Sequence, residues 1–262
     1  MTGTPSEAAT LLEVANGVAT ITLNRPENRN ALSVELVESL GGHLDAALGD
    51  EAVRAVVLTN RGNTFCAGAD LKAAVSGRPA TPASGRTFID IFGLILDSPK
   101  PIIGKLAGHC LAGGLGLAAS CDISVASDEA LLGFTEVRIG VAPAVISVVC
   151  LPKLRRADAL ELFLSGERIS AARAAEVGLI NRSVPAAELN AAVAEVVGKV
   201  VLGGPAALAL AKQLVYKVPA MGRQEAFDWT GPVSAELFQS GEGQEGITAF
   251  REKRPAAWVP SR

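Results

Sequence analysis

Aromatic side chains make up only 4% of the 262 residues, with a single tyrosine and two tryptophans. Base-stacking surfaces rely on such rings, so their scarcity argues against nucleic acid as a partner. Positive charge is not in excess either. The formal net charge is -3, which provides no broad field to draw the chain to nucleic acid or to an anionic membrane. Two histidines, His43 and His109, and four scattered cysteines, Cys66, Cys110, Cys121 and Cys150, give a metal few ligands and show no CxxC pair. The cysteines are expected reduced and mostly buried, with no metal and no redox cofactor.

Long apolar runs are missing as well. Val141 to Leu151 is interrupted by Pro143 and Ser147 and falls short of the roughly 20 residues a membrane span needs. Met1 to Thr10 is small and polar without a basic start, which predicts a flexible terminus at residues 1–10 and a cytoplasmic location.

What is present is an aliphatic core: 49% of residues are hydrophobic, chiefly Ala, Val, Leu and Ile. Leu11 to Val14 and Val18 to Leu23 flank Asn16-Gly17, the signature of a tight hairpin. Ser33 is placed to cap a helix whose Val37, Leu40, Leu44 and Leu48 share one face and which ends near Gly49. A buried strand over Val53 to Thr59 leads into a turn-rich segment, Asn60 to Asp70, and an irregular loop, Ala73 to Arg86. A helix over Phe88 to Leu96, a strand over Pro101 to Leu106, a helix over Ala112 to Ser120 and a strand over Ile123 to Ala126 follow. This alternation predicts an α/β fold with mostly parallel pairing. Beyond about Pro152 only helices are expected, at Ser170 to Val177, Ala187 to Val201, Pro205 to Lys217 and Ala226 to Gln239. The expected organisation is an α/β core at 11–200 and a helical region at 201–262.

Two segments attract chemical interest. Phe65-Cys66-Ala67-Gly68-Ala69-Asp70-Leu71 follows a strand with small residues that leave main-chain N–H groups open to a ligand, although small residues after a strand usually mark just a tight turn. Gly108 to Gly116 also follows a strand and opens a helix, where unpaired N–H groups and the dipole favour negative charge. Close helix packing is the other explanation of its glycines. The glycines at 113, 114 and 116 lack dinucleotide-binding spacing, and neither a GxxxxGK loop nor a GxSxG elbow occurs.

Taken together with Leu23 to Glu27, Asn30 to Leu32, Cys121 to Ile123, Glu136 to Gly140, Gly166 to Ala171 and Gly246 to Phe250 with Lys253 and Arg254, these segments resemble the crotonase superfamily, in its enoyl-CoA hydratase/isomerase family. The resemblance implies a crotonase-like β-β-α superhelix with a C-terminal helical oligomerisation region, assembled as a homotrimer or homohexamer. It implies an acyl-CoA substrate, coenzyme A entering only as part of that substrate. The N–H groups of Ala69 and Gly113 would form an oxyanion hole, and Glu136 would be the acid/base. Ala67, Gly68, Ala69, Asp70, Leu71, Gly113, Gly114 and Gly116 would contact substrate. Arg25, Arg29, Lys72 and Lys253 would meet the coenzyme A phosphates or else be solvated surface charge.

One departure stands out. Two-glutamate hydratases carry a second carboxylate at the position held here by Gly116. The expected activity is syn addition of water to a 2-enoyl-CoA, supported by the resemblance of Phe134 to Ser147 to branched-chain and glutaconyl-type hydratases. A Δ3,Δ2-enoyl-CoA isomerase using a single glutamate is the alternative, and a non-catalytic acyl-CoA-binding protein is a third.

Overall fold

The computed structural model describes residues 8–71 and 84–259. Strands β1 (Thr10–Ala15) and β2 (Val18–Leu23) form an antiparallel hairpin. Its turn places Asn16 at φ 51° and Gly17 at φ 75°, the two consecutive positive values that asparagine and glycine tolerate. Of the terminus expected to be flexible at residues 1–10, residues 8–10 are held in place and 1–7 lie outside the described residues. Asn24 donates from its backbone to Ala9 O and from its side chain to Ala8 O, both at 2.9 Å, and Thr10 is wholly buried in β1.

Helix α1 (Val34–Gly49) begins at Ser33, whose hydroxyl accepts from Leu36 N at 3.3 Å. Its inner face buries Leu36, Val37, Leu40 and Leu44, each such side chain contributing about 1.5–3 kcal/mol on transfer from water. Strands β3 (Ala55–Asn60), β5 (Ile102–Leu106) and β7 (Ile123–Ser127) read as continuous apolar runs because both faces of their sheet are covered. With β10 (Arg182–Val184) they complete a six-stranded sheet ordered β1-β2-β3-β5-β7-β10, parallel except for the hairpin.

A second, four-stranded sheet was not legible in the sequence. It is ordered β4-β6-β8-β9, from β4 (Thr64–Cys66), β6 (His109–Leu111), β8 (Leu131–Gly133) and β9 (Arg168–Ser170). Strands β4, β6 and β8 run parallel and β9 antiparallel. Helices α2 (Phe88–Asp97), α3 (Gly113–Ser120), α4 (Ala144–Cys150), α5 (Arg156–Ser165) and α6 (Ala171–Glu176) pack around the two sheets. The segment after Pro152 is therefore not all-helical, since β9 and β10 each join a sheet. The 73–86 loop falls mostly outside the described residues.

Helices α7 (Leu189–Val200), α8 (Pro205–Lys217), α9 (Arg223–Gln239) and α10 (Gly241–Glu252) follow. A buried ion pair ties α8 to the core: Lys212 Nζ reaches Asp122 Oδ2 at 2.9 Å and Ile95 O at 2.7 Å. Arg54 holds the far end of the chain, donating to Gly203 O and Trp258 O at 2.9 and 2.7 Å. A GxGxxG spacing at Gly241 to Gly246 lies inside α10 with no strand before it, so it is not a nucleotide turn. All four cysteines are free and buried, and among the described residues no single helix is long and apolar enough to cross a membrane.

Candidate active site

The small sheet decides where the site lies. Because β4, β6 and β8 are parallel, their C-terminal ends share one edge, and the segments leaving them are Ala67–Ala69, Ala112–Gly113 and Thr135–Glu136. Strand β9 is antiparallel, with Gly133 paired to Arg168, so its starting end meets the same edge. A cavity of about 880 Å³ opens there, within the range typical of small-molecule sites. Ala67, Ala69, Leu71, Gly113 and Glu136 line it, as do Leu32, Phe88, Arg138, Arg168 and the aliphatic stretch Val141 to Ile146.

Two hydrogen bonds shape the first loop. Ala67 N donates to Arg29 O at 3.1 Å and Leu32 N donates to Gly68 O at 2.8 Å, so the 29–32 segment holds the main chain immediately before Ala69 while leaving the Ala69 N–H unused. Gly68 sits at φ 90°, and a Cβ there would stand 2.9 Å from Gly113 N, which only glycine avoids. The two loops are thus in contact: a Cβ built on Gly113 would lie 3.7 Å from Ala69 N.

The second loop carries strain. Ala112 adopts φ 50°, ψ -128°, a conformation that costs a non-glycine residue about 1–3 kcal/mol and that recurs at ligand sites. Its N–H is held by Gly133 O at 2.9 Å. Helix α3 starts one residue later than the sequence predicts, so Gly113 takes the first helical position, whose N–H has no partner within the helix. Among the described residues neither the Ala69 nor the Gly113 N–H donates to the protein. Two unpaired donors side by side on one cavity wall suit an oxygen that gains negative charge.

Glu136 stands in the 3-10 turn Thr135–Ile139 after β8. Its Oε2 is buried and has no hydrogen-bond partner, the sole buried side-chain oxygen or nitrogen so placed among the described residues. Such an atom is costly unless a ligand completes it. Burial pushes the carboxyl above the usual glutamate value, and its own backbone N–H pulls weakly the other way. Among the described residues lining the cavity Glu136 is the only carboxylate.

The remaining expected contacts divide. Gly114 and Gly116 do not line the cavity: a Cβ on Gly114 would stand 2.0 Å from Cys66 O, and one on Gly116 would stand 2.3 Å from Ile146 Cγ2 and 3.1 Å from Phe92 Cζ. At these two positions close packing explains the glycine. The place of a second acid is filled by apolar side chains. Asp70 follows Ala69 without reaching the cavity. Arg25 is mostly buried, lies 3.8 Å from Glu27 and donates to Asn24 O, whereas Arg29 is exposed and takes part through its carbonyl. Lys253 ends α10 in the left-handed conformation, exposed and away from the cavity lining. Lys72 lies outside the described residues. Sequence reasoning missed Arg138 and Arg168; they lie inside segments already noted for their resemblance, Glu136 to Gly140 and Gly166 to Ala171, but nothing in the sequence singled them out.

A two-sheet α/β core whose small sheet brings two free amides and a carboxylate with a buried oxygen into one cavity defines a class of site suited to a ligand oxygen that gains negative charge. Residues 13–260 match the enoyl-CoA hydratase/isomerase family, and the chain belongs to that family. A Thermus thermophilus protein assigned only provisionally to the enoyl-CoA hydratases is 39% identical over 253 residues, covering 94% of this chain and 99% of that one. The crystal structure of human enoyl coenzyme A hydratase domain-containing protein 3 superposes with a TM-score of 0.89 at 29% identity, covering 95% of this chain and 100% of the other. That of an enoyl-CoA hydratase from Mycobacterium smegmatis gives 0.86 at 32%, covering 96% and 99%. The fold is that of crotonase.

Proposed function

We propose that the protein is an enoyl-CoA hydratase in which Glu136 works alone. The observation that carries the reading is the buried, unpartnered Oε2 of Glu136 in the same cavity as the free N–H groups of Ala69 and Gly113. A 2-enoyl thioester gains negative charge on its carbonyl oxygen as water adds at its β-carbon. The two amides stabilise that charge, one such donor being worth about 3–4 kcal/mol. Glu136, ionised at the start, removes a proton from the attacking water and returns it to the α-carbon on the same face. Its raised pKa suits both halves of that transfer, since the acid formed is weak enough to persist and strong enough to protonate carbon.

One observation favours an isomerase. Ile146 and Phe92 close the wall at Gly116, so a water there has Glu136 and little else to bind. Proton transfer from C2 to C4 of a 3-enoyl-CoA needs the same enolate, the same amides and the same glutamate, but no water.

The deciding assay supplies crotonyl-CoA, 3-methylcrotonyl-CoA and a 3-enoyl-CoA, with products weighed by mass spectrometry. A gain of water supports hydration, and bond migration without water supports isomerisation. Binding without any product would leave an acyl-CoA carrier. We also propose self-association through the C-terminal helices: α8 and α9 have no fully buried residue in the protomer, and Phe227, Phe238 and Phe250 are 66%, 65% and 85% exposed.

A further inference from the structure

A carboxylate that works alone must place water at the β-carbon as well as handle its proton, and the cavity holds few groups able to help. Among the described residues that line it, four have polar side chains: Thr135, Glu136, Arg138 and Arg168. The two arginines are exposed, which places them at the rim, whereas Thr135 and Glu136 are half-buried neighbours. Thr135 carries the one hydroxyl of that lining.

The chain aims this residue. Phe134 is wholly buried, its ring centroid 4.2 Å from that of Phe163, and the turn that follows brings Thr135 and Glu136 to the cavity. Gly140 N donates to Val137 O at 3.2 Å and Val141 N to Glu136 O at 3.1 Å, which holds the turn in shape. Among the described residues Thr135 Oγ1 has no hydrogen-bond partner, yet it is not buried, since Glu136 Oε2 is the sole buried side-chain oxygen or nitrogen left unpartnered. The hydroxyl is therefore open to the space that the residue lines. Nor does it serve the glutamate, because burial and its own backbone N–H are the influences on that carboxyl. A free hydroxyl in the same cavity as an unpartnered carboxylate oxygen offers a water two partners, where the Ile146 and Phe92 side chains over Gly116 offer none.

We propose that Thr135 holds the attacking water against Glu136, so that hydration uses one hydroxyl and one carboxylate in place of two carboxylates. This inference rests on the hydratase reading above and names the residue that completes it. The water donates one O–H to Glu136 and the other to Thr135 Oγ1, which turns a lone pair toward the β-carbon. As the oxygen–carbon bond forms, Glu136 takes the first proton and the electrons of the double bond move onto the thioester oxygen at the Ala69 and Gly113 amides. Glu136 then returns that proton to the α-carbon as the carbonyl re-forms, and Thr135 gives up no proton at any stage. Fixing the water matters because misplacement by about 1 Å costs a reaction on the order of 10²-fold.

The test follows kcat and KM against pH for hydration of crotonyl-CoA and 3-methylcrotonyl-CoA by the full chain and by Thr135→Ser, Thr135→Val and Thr135→Ala. Serine keeps the hydroxyl, valine keeps the shape and alanine keeps neither. Thr135→Ser should stay near wild type, while Thr135→Val and Thr135→Ala should lose about 10- to 100-fold in kcat with KM within a few-fold. The acid limb of kcat/KM, which reports Glu136 in the free enzyme, should keep its midpoint throughout. If activity follows shape, with serine falling as far as valine or below it, Thr135 is a packing residue and the proposal fails. It fails equally if the valine and alanine variants hydrate as fast as wild type. A midpoint that moves when the hydroxyl is lost also overturns it, since Thr135 would then act on the glutamate and not on water. These three failures leave the hydratase reading standing; a wild type that hydrates neither ester refutes that reading and takes this inference with it.

Discussion

Adding one methyl group at Gly116 should cost far more than its size suggests. The Cβ of Gly116→Ala would stand 2.3 Å from Ile146 Cγ2, 2.8 Å from Ile146 Cβ and 3.1 Å from Phe92 Cζ, where Ile146 is 2% exposed. Helix propensity alone favours alanine over glycine by roughly 1 kcal/mol. Overpacking opposes it by about 1–3 kcal/mol, and contacts at 2.3 Å from a branched carbon place this site at the upper end. The expected net loss is about 1–2 kcal/mol, or a fall in Tm of about 2–8 °C for a chain of this size. Ile146→Ala by itself should lose about 2–5 kcal/mol from the cavity it opens. Combined with Gly116→Ala it should lose less than the sum, because the new methyl fills part of that cavity and the clash is gone. Thermal unfolding of the four proteins at equal concentration closes the cycle. An unchanged or higher Tm for Gly116→Ala, or strict additivity in the pair, would refute the claim that Ile146 occupies the place of a second acid.

Other outcomes follow from the same geometry. Glu136→Gln should lower kcat by about 10²- to 10⁴-fold while acyl-CoA affinity, read by calorimetry, stays within a few-fold; full activity would remove Glu136 from the reaction. The same variant tests the pKa. Because burial raises the folded-state value, the stability Glu136 contributes is present below its unfolded pKa and is lost as pH rises through the folded one. Glu136→Gln should therefore gain Tm relative to wild type at neutral pH and lose that advantage in acid, and a pH-independent difference would contradict the burial argument. Gly113→Pro deletes one amide at a helix position that accepts proline, and should cost about 10²–10³ in kcat with little change in helix content by circular dichroism. Lys212→Ala leaves Asp122 buried without its cation and should destabilise by about 3–5 kcal/mol, with early proteolytic cutting in the helices after 201.

Much of the larger sheet and its helices was legible because each element carries a local signal. Asn16-Gly17 sets the hairpin, Ser33 caps α1 where the hydroxyl is found, Pro205 opens α8, and the apolar runs of β3, β5 and β7 announce strands buried on both faces. The small sheet had no such signal. Strands β4, β6, β8 and β9 are three residues each, too short for a period of two to show, and β6 was absorbed into the glycine turn before α3. Helix α4 was missed because Pro143 and Ser147 looked like interruptions, whereas Pro143 precedes the helix and the Ser147 hydroxyl bonds to Ala144 O at 2.6 Å.

Glu136 stood out only through the family resemblance; by itself the sequence determined the aliphatic core, the order of the main elements, and two segments whose small residues can present main-chain N–H groups. Those are properties of neighbouring residues, and local chemistry suffices to read them. The tertiary structure alone decided which glycines face ligand and which face protein, that Ile146 fills the space over Gly116, and that Arg138 and Arg168 share the cavity with Glu136. Each of these depends on the parallel register of strands far apart in the chain, which brings three strand ends and the start of a fourth to one edge. No local pattern encodes that distance.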